Sequence, residues 1–291
     1  MSYGRSQKSL SRDSILVRGG FTFFAHGFKS LLTLVSGFLV ARLMGPENFG
    51  MMAFLITTFI SFRSLIDLGT SSAFYTFLSG RSQDYSFFAY YFMWIGIQIL
   101  LPVFIIVCVF PNDWLVIVWH QSDRLLILLA CLAVFSQHGV WATASQIGDS
   151  YRKTYLVQIA AVAICVIHFV SVLILWSFDS IGVFSILVAM IFEHLIIALL
   201  VFRLLRLKSS EGAVLSFLTF RAVFFRYLNY CTPLIPYIVI GFVAAFGDRW
   251  ILQYFGGNVE QAYYAIGWQF SAIALLATTA FLRIFWKEVA E

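Results

Sequence analysis

The chain has 291 residues, of which 61% are hydrophobic and only 11% are charged, and its formal net charge is +5. About a quarter of the residues of a typical soluble domain are charged, so this composition excludes a water-soluble enzyme. The basic residues border apolar runs and form no patch suited to nucleic acid, so no nucleic-acid partner is expected.

Eight apolar stretches are long enough to cross a bilayer, which takes about 20 residues. Residues 1–18 form a basic polar tail, and no small-residue cleavage site follows the first apolar run, so that run is predicted to be a membrane helix. The predicted spans are 20–43, 50–72, 87–110, 125–147, 156–177, 181–202, 231–252 and 262–285. The sequence therefore predicts an all-α, polytopic transmembrane helical bundle of about eight helices.

Lys and Arg residues are distributed unevenly between the links on the two sides of these spans. If the N-terminus is cytoplasmic, most of the 19 Lys and Arg residues fall in cytoplasmic links, and only Arg42, Arg124 and Arg249 fall on the other side. Positively charged loops stay on the cytoplasmic side during insertion. A multi-pass protein with a cytoplasmic N-terminus is therefore predicted.

The longest link runs from Arg203 to Tyr230 and alternates cationic with apolar residues. Two interpretations stay open: an interfacial helix along the anionic cytoplasmic leaflet, or a loop that only obeys the positive-inside rule. Either way the link divides six helices from two. The predicted division is a tail at 1–18, a six-helix lobe at 19–208, a linker at 209–230 and the first two helices of a second lobe at 231–291.

Two hairpins of the chain are alike in sequence. The segment Ala41–Gly50 has a counterpart in Arg249–Tyr264, since each joins a helix ending in Arg and apolar residues to an aromatic-led helix through a turn with Gly, Asn and Glu. Transporters are often built from such repeats. A chance likeness between two apolar hairpins is the alternative.

Ionisable side chains within apolar spans cost on the order of 3 kcal/mol each, so each of them calls for a partner or a function. They are His26, Lys29, Arg63, Asp67, His138, His168, Glu193 and His194. At 1.5 Å of rise per residue, four of them lie roughly 13 Å from the cytoplasmic end of their spans: Lys29, Arg63, His138 and Glu193. A polar layer lining a cavity open to the cytoplasm is predicted, with His168 and His194 assigned to hydrogen-bonded packing.

Several of these residues have more than one interpretation. Arg63 and Asp67 are four residues apart, so they can neutralise each other on one helix face. Glu193 is either a counter-ion for Lys29 or Arg63, or a proton-coupling carboxylate. Guanidinium and ammonium groups suit a phosphate or pyrophosphate headgroup, whereas a lipophilic cation would call for the carboxylates of Asp67 and Glu193.

The four cysteines stand singly in apolar stretches, without the close spacing of a zinc site or a redox pair. They are Cys108, Cys131, Cys165 and Cys231. We interpret them as buried apolar residues, and no metal or cofactor is expected. The longest outer link offers only Asp113, His120 and Asp123 as catalytic candidates, so an enzyme is not expected either.

Three segments carry a family resemblance, each at a corresponding helix. They are Ala41–Gly50 (ARLMGPENFG), Ile66–Phe74 (IDLGTSSAF) and Thr232–Gly257 (TPLIPYIVIGFVAAFGDRWILQYFGG). At these residues the chain resembles the polysaccharide exporters of the multidrug/oligosaccharidyl-lipid/polysaccharide superfamily, which include O-antigen and exopolysaccharide flippases. The resemblance implies a bacterial inner-membrane transporter that moves an undecaprenyl-pyrophosphate-linked oligosaccharide to the outer leaflet by alternating access, beside polysaccharide polymerase and chain-length machinery.

The resemblance also implies roles for individual residues. Lys29 and Arg63 would hold the pyrophosphate. The remaining cavity residues, polar or ion-coupling, would be His26, Asp67, His138 and Glu193, and the structural motifs would be Gly45, Pro46, Gly50, Asp248 and Arg249. Two complete lobes are usual in that family, so eight spans lead us to expect an incomplete second lobe. The alternatives are a cation-coupled multidrug antiporter of the same superfamily, and a fragment or assembly partner that does not transport.

Overall fold

The computed structural model describes the backbone of residues 3–80, 85–121, 123–205 and 217–290, and within these the side chains of 24–79, 86–121, 123–205 and 220–271. The described residues are almost wholly helical and include no strand. In chain order the helices are α1 (Tyr3–Asp67), α2 (Thr70–Gly80), α3 (Tyr85–Phe104), α4 (Asn112–Trp119), α5 (Arg124–Phe135), α6 (Ala142–Ser150), α7 (Thr154–Ser177), α8 (Val183–Leu205), α9 (Phe217–Cys231) and α10 (Ile235–Ala290). The all-α prediction is confirmed.

Shorter elements complete the helical chain. Two π-helical turns lie at Ile105–Val109 and Ser136–Trp141, and a 3-10 turn at Thr232–Leu234 joins α9 to α10. In the predicted linker, residues 209–216 lie outside the described residues, and α9 covers the remainder.

Within the described residues, six helices are long and apolar enough to cross a membrane, which is the composition of a membrane protein. They are Phe24–Asp67, Ser86–Val109, Arg124–Ser150, Thr154–Ser177, Val183–Leu205 and Phe220–Ser271. The sequence predicts eight spans. The numbers differ because the helical segments on the two sides of a kink at Gly45 count as one helix, and so do those on the two sides of a kink at Gly257. Predicted span 1 and most of span 2 lie in α1, and most of span 7 and all of span 8 lie in α10.

Each of these two long helices contains one glycine with a non-helical backbone. Gly45 has φ 76° and ψ 164°, and Gly257 has φ 71° and ψ −167°, a region that glycine occupies without steric cost. Arg249 Nη1 donates to Gln261 Oε1 at 3.4 Å, although residues twelve apart in a straight helix are about 18 Å apart. The chain of α10 therefore folds back at Gly257.

The residues before and after each kink form the two arms of that helix. The first arm of α1 contacts the second arm of α10, and the second arm of α1 contacts the first arm of α10. The Phe38 ring, before the Gly45 kink, lies 5.1 Å from the Phe270 ring, and the Phe62 ring, after it, lies 5.1 Å from the Phe246 ring. Phe246 and Phe270 belong to opposite arms of α10, which folds back on itself. We infer that α1 folds back in the same way, so that two helical hairpins face each other.

The tightest approach between the hairpins is at Gly50. A methyl group added at this residue would overlap the backbone carbonyl oxygen of Asn258. Pro46, which directly follows the Gly45 kink, stands where the second arm begins, and a proline is well suited to the first turn of a helix. The predicted structural motif of Gly45, Pro46 and Gly50 thus lies at the turn of α1 and at its contact with α10.

The other helices pack around the second arm of α1 in two apolar clusters. The first joins that arm to α4, α5 and α8 and is centred on Leu55, Ile127 and Leu187, which are fully buried or nearly so. The second joins α2, α3, α6 and α8, and in it the Phe74 ring stacks on the Tyr91 ring at 3.8 Å. Large apolar side chains remain exposed on the outer faces of α3, α7 and α10, as on lipid-facing helices.

Candidate functional site

The first polar group lies at the end of α1. Arg63 Nη2 is 3.8 Å from Asp67 Oδ1, and the Asp67 residue is only 7% exposed. The ion pair predicted from the four-residue spacing is therefore present. A pair at this distance leaves room for other partners on both sides.

Asp67 is surrounded by donors because the helix breaks directly after it. Gly69 has φ 83°, which ends α1 and lets α2 begin at Thr70. Asp67 Oδ1 accepts hydrogen bonds from Ser71 Oγ at 2.6 Å, Thr70 Oγ1 at 2.9 Å and Gln98 Nε2 at 3.3 Å, and the Ser71 backbone N–H donates to the carboxylate as well. A carboxylate in this position caps the N-terminus of α2. Asp67 is thus fully engaged in local structure.

Arg63 retains an unused donor. Its Nη2 also donates to Ser71 Oγ at 3.0 Å, but its Nε is buried and has no hydrogen-bond partner among the described residues. The charges of Arg63 and of His194 both act on the imidazole of His138. His138 lies in the π-helical turn at Ser136–Trp141, and such turns occur often at functional sites.

The second polar group lies between α7 and α8. Glu193 Oε2 is 2.9 Å from His168 Nδ1, while Glu193 Oε1 is buried without a hydrogen-bond partner among the described residues. His194 Nδ1 donates to the carbonyl oxygen of Met190 at 2.8 Å. His194 therefore has the hydrogen-bonded packing role predicted for it, whereas His168 is the direct partner of a buried carboxylate.

Lys29 lies on the first arm of α1, beside α7. The charges of Lys29 and Glu193 both act on the thiol of Cys165, whose Sγ is 3.7 Å from Thr33 Oγ1. Among the described residues Lys29 has no ion pair within 4 Å, and Glu193 contacts neither Lys29 nor Arg63 at that distance. The contact of Glu193 is instead with His168 of α7.

We call the ionisable side chains of both groups, together with Lys29 and His138, the polar network. Its members are Lys29, Arg63, Asp67, His138, His168, Glu193 and His194. His138 stands on the π-helical turn that packs against α8, the helix of Glu193 and His194. His26 is half-buried on α1, three residues before Lys29. The described contacts join Arg63 to Asp67 and His168 to Glu193, so His168, to which the sequence assigns a packing role, is the partner of a predicted cavity residue.

The two predicted motif residues of α10 have different surroundings. Arg249 is 8% exposed, contacts Gln261 across the turn and lies over the Tyr264 ring at 4.3 Å. Asp248 is exposed. Arg249 therefore connects the two arms of α10, and the structural role predicted for the pair stays a prediction.

His120, a catalytic candidate of the outer link, packs against aromatic rings. It follows α4 with φ 52° and lies 6.0 to 6.1 Å from the rings of Phe54, Trp250 and Tyr254. Partial burial lowers the pKa of His120. The imidazole thus contacts both hairpins from the end of α4, while the residue itself stays exposed.

Two grooves on the described surface are apolar and contain no member of the polar network. One, of about 310 Å³, lies between the hairpins near Pro46 and Tyr263, and the other, of about 290 Å³, lies between Phe28 of α1 and Ile159 of α7. Among the described residues no three His, Cys, Asp or Glu side chains form a group that could hold a metal ion. Neither groove therefore offers a ligand direct contact with the polar network.

Comparisons of the chain with protein-family models, with curated proteins and with solved structures find no match.

Proposed function

We propose that this chain is a bacterial inner-membrane transporter of the lipid-linked saccharide exporter type. In this proposal the polar network holds the pyrophosphate of an undecaprenyl-linked oligosaccharide while the sugar moves to the outer leaflet. The observation that carries the proposal is a pair of cations with unused binding capacity inside an apolar bundle: Lys29, which has no ion pair among the described residues, and Arg63, whose Nε has no partner there.

The chemistry of these two groups favours an anion. Charged residues within membrane helices are costly and generally mark a substrate or ion pathway. A pyrophosphate offers oxygens that accept charge-assisted hydrogen bonds from both a guanidinium and an ammonium group. Lys29 and Arg63 stand on opposite arms of α1, so one headgroup bound by both would connect the two arms of the hairpin.

The proposal includes eight spans, four of which come from the two hairpins. The apolar segment Phe24–Asp67 of α1 has 44 residues, which would be about 66 Å long if straight, whereas the hydrocarbon core is about 30 Å thick. The kinks at Gly45 and Gly257 would divide each long helix into two spans. With the N-terminus in the cytoplasm, as the distribution of Lys and Arg predicts, both kinks would lie on the outer side.

Cysteine labelling tests this topology. In a variant without the native cysteines, Glu47→Cys and Asn258→Cys should react with a membrane-impermeant maleimide added to intact cells, and Lys153→Cys should react only after lysis. Labelling of Lys153→Cys in intact cells, or protection of both turn positions, would overturn the eight-span arrangement.

A cation-coupled multidrug antiporter is the second candidate. The observation that favours it is the buried Oε1 of Glu193, which has no hydrogen-bond partner among the described residues. The other carboxylate on which it would depend, Asp67, is occupied by α2 and Arg63. The antiporter is the weaker candidate because only one of these two carboxylates, Glu193, has an oxygen without a partner among the described residues, whereas both Lys29 and Arg63 have unused donors there.

Binding measurements on the full chain in nanodiscs separate the two candidates. Polyprenyl pyrophosphate should bind the unmodified chain, and Lys29→Ala should weaken binding roughly 10- to 100-fold, since a hydrogen bond to a charged group contributes about 1.5–3 kcal/mol. Arg63→Lys should also weaken it, because the fork of donors is lost while the charge beside Asp67 remains. Arg42→Ala, at an exposed cation of the same helix, is the control and should bind normally.

The results have distinct meanings. Unchanged pyrophosphate binding in the Lys29→Ala and Arg63→Lys chains would overturn the proposal. Binding of a lipophilic cation that disappears in Glu193→Gln would support the antiporter instead. Movement of a fluorescent lipid-linked sugar across proteoliposomes, lost in Lys29→Ala and kept in Arg42→Ala, would establish transport.

A further inference from the structure

We propose that His168 and Glu193 form a proton-binding site, and that loading this site strengthens the binding of an anion at Lys29. The proton site rests on the geometry of the pair itself. Only the coupling to an anion rests on the proposed function, so the two can fail separately.

The pair has the form of a proton acceptor that is incompletely satisfied. The Glu193 side chain is 4% exposed, its Oε2 meets His168 Nδ1 at 2.9 Å, and its Oε1 is buried without a hydrogen-bond partner among the described residues. A buried carboxylate is costly unless its charge and its lone pairs are compensated. Uptake of a proton removes that charge without requiring any change in the backbone.

His168 provides the route to this carboxylate. Its side chain is 23% exposed, whereas that of Glu193 is 4% exposed, so the imidazole is the more accessible member of the pair and is the group at which the proposed proton enters. The proton binds at Nε2 of His168, and the proton already on Nδ1 passes to Oε2 of Glu193. The products are a neutral imidazole with its proton on Nε2 and a neutral carboxylic acid, a net gain of one proton.

Other titratable groups surround the pair on several packed elements. They are Lys29 of α1, Cys165 of α7, His194 of α8 and His138 of the π-helical turn. The charged residues of α5 and α6, Arg124 and Asp149, stand at the ends of those helices. The fixed positive charges within the helices packed around the pair are Lys29 and Arg63 of α1, and Lys29 is the one on the arm of α1 that contacts α7 at Thr33.

The coupling follows from the position of Lys29. Lys29 stands one helical turn before Thr33, whose Oγ1 is 3.7 Å from Cys165 Sγ, and Cys165 stands about one turn before His168 on α7. The Glu193 carboxylate, which contacts His168, therefore partly offsets the charge of the ammonium group. When Glu193 is protonated, this offset ends and Lys29 attracts an anion more strongly. Because linkage is reciprocal, a bound anion in turn favours the proton on the pair.

Infrared difference spectroscopy of the full chain in nanodiscs tests the proton site. On acidification the unmodified chain should gain the C=O band of a protonated carboxyl group, Glu193→Gln should lack this band, and His168→Gln should shift its midpoint. Asp67→Asn is the matched control and should keep the band. A carboxyl band that does not respond to pH, or that persists in Glu193→Gln, would overturn the site.

Titration of polyprenyl pyrophosphate against the same samples tests the coupling. Between pH 8 and pH 6 the affinity of the unmodified chain should rise about fivefold or more, the lower end of typical coupling, beyond any rise that Glu193→Gln shows. An equal pH response in the two chains would overturn the coupling. If the carboxyl band responds to pH but the chain does not bind pyrophosphate, the proton site stands and the proposed function is refuted. If the chain binds pyrophosphate but the band does not respond to pH, the proposed function stands and the proton site is refuted.

Discussion

Asp67 and Glu193 are both buried carboxylates in apolar helices, but their surroundings differ. Asp67 accepts hydrogen bonds from Thr70, Ser71 and Gln98 and lies beside Arg63. Glu193 has His168 on one oxygen and no hydrogen-bond partner among the described residues on the other.

This difference separates a structural carboxylate from one with capacity to spare. Both oxygens of Asp67 have hydrogen-bond partners, so a change in its protonation would disrupt local structure, and such a group is poorly suited to loading and release. A carboxylate with one unused oxygen can gain or lose a proton while its neighbours stay in place. Substitutions at the two carboxylates should therefore differ in their effect on the free energy of unfolding.

The largest loss of stability is expected at Asp67, whose two oxygens both have hydrogen-bond partners. Asp67→Ala removes the cap of α2 and leaves Arg63 without a counter-charge, and breaking a buried pair from one side costs about 3–5 kcal/mol. Chemical denaturation in micelles, followed by circular dichroism, should show a loss of this size. Asp67→Asn keeps one acceptor oxygen and should lose less. A loss below about 1 kcal/mol in Asp67→Ala would mean that the hydrogen bonds around it contribute little.

An intermediate effect is expected at one of its donors. Ser71→Ala removes the 2.6 Å hydrogen bond to Asp67 and the acceptor of the Arg63 guanidinium, so the same assay should show a loss of about 1.5–3 kcal/mol. Ser72→Ala, at the exposed neighbouring position, serves as the comparison and should change stability by less than about 0.5 kcal/mol. Because alanine has the higher helix propensity, equal losses in the two variants would mean that a feature common to both serines, and not the hydrogen bond to Asp67, causes the effect.

The smallest loss of stability is expected at Glu193, which has a partner on only one of its two oxygens among the described residues. Glu193→Gln keeps an oxygen for His168 and removes a buried charge, so its stability should stay within about 1 kcal/mol of the unmodified chain. The same denaturation assay, with Asp67→Asn run in parallel, measures the difference directly. If Glu193→Gln proved the less stable of the two, the distinction between the carboxylates would be wrong.

Hydropathy and residue spacing predicted much of the fold. The apolar stretches gave the helices and most of their bounds, and the spacing of Arg63 and Asp67 gave the ion pair, because these features depend on local chain geometry. The kinks at Gly45 and Gly257 fall in links that the sequence predicts between spans. The packing of the two hairpins against each other could not be predicted, since it depends on contacts between residues far apart in the chain.

The site was less predictable than the fold. His168 and Glu193 lie on different helices, and their contact depends on how α7 and α8 are rotated and shifted against each other. No sequence spacing encodes that rotation. The capping role of Asp67 did leave a local signal, because Asp67 stands just before Gly69 and Thr70, in a pattern typical of a helix N-terminus.

The close approach of Gly50 to Asn258 has a consequence for biosynthesis. These residues are about 200 positions apart, and at 5–20 residues per second the ribosome needs roughly 10–40 s to make the intervening chain. During that interval the first hairpin is in the membrane while its mate has not yet been synthesised. The surface around Gly50 must therefore be kept from other helices, by lipid or by the insertion machinery, until the last hairpin arrives.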